Sequence, residues 1–324
     1  MLPRRRLYLI AGFLTLASVV GLFVHTGTDR EVAEVASANI EIDPAANRLE
    51  EQAKIELQRK IDASLLSDLV LPKDGHAAIG TLELGTILTT ANERQVPIAS
   101  ITKLITALVT LDKQPLIIGE QGKVMTLTDL DEQYYWDYVA MQGTITPITA
   151  GYTMTQYEVL QAMLLASSNN MADTIVDNYF ISKQEYLDYA NDYLQRVGLN
   201  NTQVADTTGF SPDSKSTPSD LIKLAQLALK NPVIREIVAQ PEATISVAGS
   251  IPNYNPLIND TGVIGLKPGA TDEAGYTLLF AAELPTSAGT TETFIGVTLG
   301  FQDRQEYIQT ARNMIEDARQ LLNK

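Results

Sequence analysis

The sequence predicts an α/β (α+β) fold, one sheet with helices, and two observations carry that prediction. Strand signals sit at both ends of the globular part. One is a pair over residues 77–90 with glycines at 80 and 85, and the others are two apolar runs over 276–284 and 292–299. Helical spacing fills the interval. Early and late strands with helices between them imply one sheet built from both ends of the domain, beside a helical insertion.

The chain opens Met1-Leu2-Pro3-Arg4-Arg5-Arg6, then runs uncharged and mostly apolar from Leu7 to Val24. As a helix this stretch would be about 27 Å long at 1.5 Å per residue, enough to cross a bilayer. The arginines would stay on the cytoplasmic side and place the chain beyond His25 on the opposite side. Two accounts stay open: an uncleaved transmembrane anchor, and a cleaved signal peptide whose small-residue site is Ala36-Ser37-Ala38, well past the apolar run. Both export the rest of the chain. Residues 28–47 are polar and alanine-rich and read as a stalk. Over 48–66, Leu49, Ala53, Leu57, Ile61 and Leu65 recur every fourth residue among charged side chains, the pattern of an amphipathic helix. The expected division is 1–27, cytoplasmic tip and membrane anchor or signal segment; 28–68, stalk and amphipathic helix; and 69–324, the globular domain.

Within that domain, residues 98–108 form an apolar helical run. Thr155-Gln156-Tyr157-Glu158 has the form of a capping box, followed by an inward face of Val159, Leu160, Met163 and Leu164. That helix should stop at Ser167-Ser168-Asn169-Asn170. Further helices are expected over 184–197, 218–230 and 304–323.

With 324 residues, 45% of them hydrophobic, the chain can bury a full-sized core. A formal charge of −15, with no Lys/Arg cluster beyond residues 4–6, argues against nucleic acid as a partner. The absence of cysteine removes a thiol nucleophile and any thiolate metal site, and the two histidines are far apart, so neither a metal nor another cofactor is expected. Asp129, Asp131 and Glu132 lack the spacing of a calcium loop and read as a solvated acidic turn. Tyr134, Tyr135, Trp136 and Tyr138 read as aromatics anchoring a loop, with stacking on glycan as the alternative.

Ser100 and Lys103 form the chain's one Ser-x-x-Lys, at the start of the 98–108 run. Residues three apart share a helix face, so the amine reaches the hydroxyl. By itself the pattern also fits a helix cap with a solvated lysine. A serine nucleophile needs a base; the histidines are His25, beside the N-terminal apolar stretch, and His76, in a loop-like stretch, which favours the lysine, since a Ser-His-Asp triad would have to recruit His76. Burial and the positive end of the helix dipole favour its neutral form.

Two more short motifs come later in the chain, in the order Ser167-Ser168-Asn169 and Lys267-Pro268-Gly269. Each is weak alone, since Ser-x-Asn also occurs at Ser37 and Ser168 and Lys-x-Gly at Lys73. In context they are specific. Residues 97–107 around Ser100, Leu164-Leu165-Ala166-Ser167-Ser168-Asn169-Asn170-Met171-Ala172-Asp173, and Gly262 through Tyr276 around Lys267 resemble the three motifs of the D-alanyl-D-alanine carboxypeptidases, the low-molecular-mass penicillin-binding proteins. Supporting matches are Gly209-Phe210, Ser216-Thr217-Pro218-Ser219-Asp220-Leu221 and Asn255-Pro256-Leu257, so the resemblance spans about residues 77–315.

The resemblance implies a β-lactamase/transpeptidase-like fold, an antiparallel sheet flanked by helices with an all-helical subdomain, and a serine D,D-carboxypeptidase that trims terminal D-Ala from peptidoglycan stem peptides through an acyl-enzyme. β-Lactams would be covalent inhibitors, and residues 69–324 the peptidase domain, held outside the cytoplasm by the N-terminal segment. Ser100 would be the nucleophile, Lys103 its base and Ser167 a proton relay. The Asn169 amide would hold Lys103 and a substrate carbonyl, and Lys267 would favour the terminal carboxylate. The N–H groups of Ser100 and Ala270 would form the oxyanion hole, with Gly269 and Thr271 completing the substrate strand. Pro268 departs from the family, where threonine or serine supplies a hydroxyl to the carboxylate. Either Thr271 replaces that hydroxyl or the substrate is a cross-link, which makes a D,D-endopeptidase the alternative. A β-lactamase is a further rival, but no Glu-x-x-Leu-Asn segment is present to activate its deacylating water. A non-catalytic wall-binding scaffold on the same fold is the last.

Overall fold

The computed structural model describes residues 71–323, apart from positions 73, 74, 92 and 288. The expected anchor, stalk and amphipathic helix lie outside the described residues. No helix among the described residues is long and apolar enough to cross a membrane. In chain order come β1 (His76–Thr81), β2 (Gly85–Thr89), β3 (Val96–Pro97), a 3-10 turn (Ala99–Ile101), α1 (Thr102–Lys113), β4 (Val124–Thr126), α2 (Asp129–Ala140), β5 (Thr153–Thr155), α3 (Gln156–Leu164) and α4 (Asn169–Tyr179). They are followed by α5 (Lys183–Arg196), β6 (Lys215–Ser216), α6 (Pro218–Lys230), α7 (Pro232–Val238), β7 (Glu242–Ile245), β8 (Gly249–Pro252), β9 (Val263–Thr271), β10 (Gly275–Pro285), β11 (Thr291–Phe301) and α8 (Arg304–Leu322).

The main sheet runs β2-β1-β11-β10-β9, antiparallel throughout. Early and late strands thus join in one sheet, as the sequence predicts. Side chains alternate across it. Leu279, Ala281, Ile295, Val297 and Leu299 enter the larger core with α1, α3, α4 and α6. Leu278, Phe280, Ala282 and Phe294 enter a second core under Tyr307, Ala311, Met314 and Ile315 of α8. Both faces are covered, which is why β10 and β11 read as near-continuous apolar runs. Burying each large side chain contributes roughly 1.5–3 kcal/mol.

Gly296 lies opposite Phe280 in the ladder, and a Cβ there would sit 2.1 Å from the ring. Gly296→Ala should therefore destabilise the fold by about 2–3 kcal/mol, read as a lower melting temperature.

Local signals set the helix boundaries. The capping box of α3 is present: Thr155 Oγ1 accepts from the Glu158 N–H, and the Glu158 carboxylate accepts from the Thr155 N–H at 2.8 Å. Pro218 opens α6 behind the Thr217 cap. Three expectations are corrected. The acidic stretch 129–132 is the first turn of α2, where buried Asp131 closes a second capping box with Thr128 and accepts from Thr174 Oγ1 at 2.6 Å. The aromatic cluster stands on that same helix, with Tyr134 and Tyr138 donating to Asp177 and Asp173 at 2.6 and 2.8 Å while Trp136 stays exposed. His76 begins β1, paired with Leu299 and buried, because the ladder with β11 starts one residue before the expected strand.

Candidate active site

Ser100 stands in the 3-10 turn that leads into α1. The apolar run buries α1 from Thr102 through Leu111. Lys103 comes one turn later and is fully buried; its Nζ donates to Ser100 Oγ and to the Thr208 carbonyl, both at 2.9 Å. Burial lowers the Lys103 pKa from 10.5 to about 7, against the pull of Asp206 and Asp173, which raise it. A large fraction of the amine is thus neutral near pH 7, and the neutral form can accept the Ser100 proton across the same contact. His76 is three strands away from β9 and does not line the cleft.

The second motif is held by backbone strain and by the segment after α2. Thr144 Oγ1 donates to the Ser167 carbonyl at 2.6 Å, and the Thr144 carbonyl accepts from the Asn169 N–H at 2.8 Å. The Asn170 amide pairs with both backbone groups of Thr146. The chain turns at Ser167 and restarts as α4 at Asn169, which places both side chains at the cleft. Among the described residues, the non-glycine residues with positive φ are Ala99 (46°), Gln142 (57°) and Ser167 (59°). Gln142 and Ser167 line the cleft, and Ala99 precedes Ser100. Strain confined to one place marks a functional site.

The third motif lies on β9, the edge strand beside the cleft. A Cβ on Gly269 would come within 2.7 Å of the Ser100 N, so only glycine lets the strand approach Ser100 this closely. Pro268 is accommodated because an edge strand leaves alternate N–H groups unpaired. The Thr271 hydroxyl lines the cleft and accepts from the Ala274 N–H at 3.1 Å, which leaves its hydrogen available to a ligand.

Two expected roles change in the structure. The partners of Lys103 are Ser100 and Thr208, and the Asn169 amide is not among them, although it lines the same cleft. Lys267 is fully buried beneath the cleft, donating to the Pro268 carbonyl at 3.2 Å. Burial, with Lys103 nearby, drives its pKa well below the usual value and toward the neutral amine.

One charged side chain of the cleft is marked by no sequence motif. Arg304, the first residue of α8, lines the cleft near Pro268 and Thr271 and has no ion-pair partner among the described residues. Its only sequence signal is a helix start after the last strand. Beside it Tyr276 and Tyr307 stack with ring centroids 5.3 Å apart, and Phe210 and Tyr254 also line the cleft. The cavity measures about 310 Å³.

Asp206 and Asp173 are likewise unmarked by any motif. The Asp206 carboxylate gathers the loop that carries Thr208, and Gly209 in that loop touches Ala99. Asp173 accepts from Tyr138, Thr207 and Lys183.

A serine bonded to a buried lysine of near-neutral proton affinity, beside an edge strand that can pair with a peptide, defines a serine-type acyl-transfer peptidase. Residues 73–299 match the family described as D-alanyl-D-alanine carboxypeptidase, and the chain belongs to that family of serine D,D-peptidases. It is 31% identical over 224 residues to a D-alanyl-D-alanine endopeptidase of Pseudomonas aeruginosa, covering 66% of this chain and 68% of that one. It is 29% identical over 232 residues to a D-alanyl-D-alanine carboxypeptidase of a Streptomyces species, covering 66% and 76%. The crystal structure of the Streptomyces K15 DD-transpeptidase superposes with a TM-score of 0.67 over 77% of this chain and 98% of that one, at 24% identity, so the two share a fold.

Proposed function

We propose that the protein is a membrane-anchored serine D,D-carboxypeptidase acting outside the cytoplasm on peptidoglycan stem peptides. The observation that carries this reading is the 2.9 Å bond from fully buried Lys103 to Ser100 Oγ, with unpaired Arg304 in the same cleft. Ser100 Oγ attacks the carbonyl carbon of the penultimate D-Ala while its proton passes to Lys103 Nζ. The oxyanion is met by the N–H groups of Ser100 and Ala270, each such donor worth about 3 kcal/mol of barrier. The C–N bond then breaks, the amine takes a proton relayed through Ser167, and D-Ala leaves. Water hydrolyses the ester and returns the hydroxyl to Ser100. The N-terminal arginines and apolar stretch, which lie outside the described residues, support the anchor and the export. A β-lactam would stop at the ester.

Arg304 takes over the carboxylate from the hydroxyl that Pro268 lacks. Arg304→Ala should raise KM for a peptide ending in free D-Ala-D-Ala by about 10–100-fold, as loss of a charged hydrogen bond predicts. The same peptide with an amidated terminus should be nearly unaffected. A second reading, D,D-endopeptidase, is favoured by Pro268 and by the endopeptidase name of the Pseudomonas relative. Both share the acylation step and differ in the leaving amine. Incubation with a pentapeptide and with a cross-linked muropeptide separates them: free D-Ala from the first supports the carboxypeptidase, and cleavage confined to the second replaces it with the endopeptidase.

A further inference from the structure

The charged groups facing Lys103 are Lys267 on β9, Asp173 on α4 and Asp206 in the loop after α5. Tyr138 on α2 and Tyr186 on α5 lie near the two carboxylates. The two carboxylates differ in what they are bonded to. Asp173 is 2.7 Å from Lys183 Nζ, so a cation already opposes its charge. Asp206 accepts only from neutral donors: Gly209 N–H at 2.9 Å and Ser214 Oγ at 2.7 Å on one oxygen, and Thr208 Oγ1 at 2.7 Å, Phe210 N–H at 2.8 Å and Ser211 N–H at 3.1 Å on the other. Its charge is spread over five hydrogen bonds and compensated by none of them. Through Thr208 it is two hydrogen bonds from Lys103, because the carbonyl of that residue accepts from Lys103 Nζ.

The same loop presses on the nucleophile. Gly209, at φ 79°, lies so close to Ala99 that a Cβ would fall 1.8 Å from its carbonyl oxygen. Five bonds to one carboxylate therefore fix both the partner of the base and the turn that carries the serine.

We propose that Asp206 is a positioning residue for the acylation, holding the Thr208 carbonyl on Lys103 Nζ and acting as the one uncompensated negative charge, among the described residues, that faces the amine. The inference rests on the Ser100–Lys103 reading above. Its sign follows from electrostatics: a carboxylate favours the ammonium, so Asp206 keeps the proton affinity of the base near neutrality while burial drives it down. Without that charge the amine stays neutral to lower pH and is a weaker base.

The test is the rate of acylation by a fluorescent penicillin as a function of pH, on the wild type, Asp206→Asn and Ser214→Ala, with folding checked by circular dichroism. In the wild type the rate should rise through about pH 7 as Lys103 loses its proton. In Asp206→Asn the midpoint should move down by about one pH unit and the plateau should fall about tenfold. Ser214→Ala weakens the loop without changing charge, so it should lower the plateau and leave the midpoint in place. Where asparagine is not accommodated, Asp206→Ser repeats the measurement with a smaller acceptor. A wild-type limb near pH 7 with an unshifted midpoint in both neutral variants overturns the role of Asp206 alone. No adduct on folded wild type at any pH overturns the Ser100–Lys103 reading, and this inference with it.

Discussion

Lys103→Met is expected to slow acylation of Ser100 by about 10³–10⁴-fold while making the protein more stable, two effects with one cause. The amine is the base within hydrogen-bond reach of Ser100 Oγ, and methionine has nearly the length of lysine without its basicity. The stability sign follows from linkage. The Lys103 pKa is about 7 in the fold and 10.5 when exposed, so the unfolded chain binds the proton more tightly. Folding with this lysine costs most below about pH 7, and the cost fades as pH rises toward 10.5. Lys103→Met removes that cost and gives up two hydrogen bonds, for a net gain of roughly 1–3 kcal/mol near pH 6. The gain should vanish by about pH 10. Melting temperatures at pH 6 and pH 10, set beside acylation rates, check both halves. A variant that is less stable than wild type at pH 6 would show that the lysine is structural. Active sites commonly hold such a conflict between activity and stability.

Gly209→Ala is the second large effect, and it acts on structure. The position has φ 79°, a conformation that costs alanine about 1–2 kcal/mol, and the new methyl group would overlap the Ala99 carbonyl at 1.8 Å. Neither partner can retreat. The glycine N–H is held by Asp206, and Ala99 is fixed between Ile98, whose N–H donates to the Ser214 carbonyl, and the buried start of α1. A loss of about 3–5 kcal/mol is expected, with acylation lost even in molecules that remain folded. A thermal melt and a penicillin-labelling assay on the same sample measure both.

The three motifs are legible in the sequence because their chemistry is local. Ser100 and Lys103 meet through helix spacing alone, and the capping box, the Pro218 helix start and the apolar alternation of β10 and β11 are all written within a few residues of where they act. The features that stay hidden depend on contacts between distant segments. Arg304 reaches the cleft only because α8 begins where β11 ends and packs on β10 and β11. Asp206 is an ordinary acidic residue until the 206–214 loop closes on it. The first turn of α2 reads as a solvated acidic turn because acidic residues favour turns and helix starts alike, and Thr174, more than forty residues on, decides the matter through its bond to Asp131. Lys267 reads as a charged group because a lysine is ordinarily exposed, and its burial, set by the fold, disfavours that charge.

The central claim is that Ser100 is acylated with Lys103 as its base. The most direct test is the intact mass of the folded protein after incubation with a penicillin, compared with Ser100→Ala. The account predicts one added penicillin mass on the wild type, located to the peptide containing Ser100, and none on the variant. An unmodified wild type, or an adduct that persists in Ser100→Ala, would contradict it and favour a wall-binding protein on a peptidase fold.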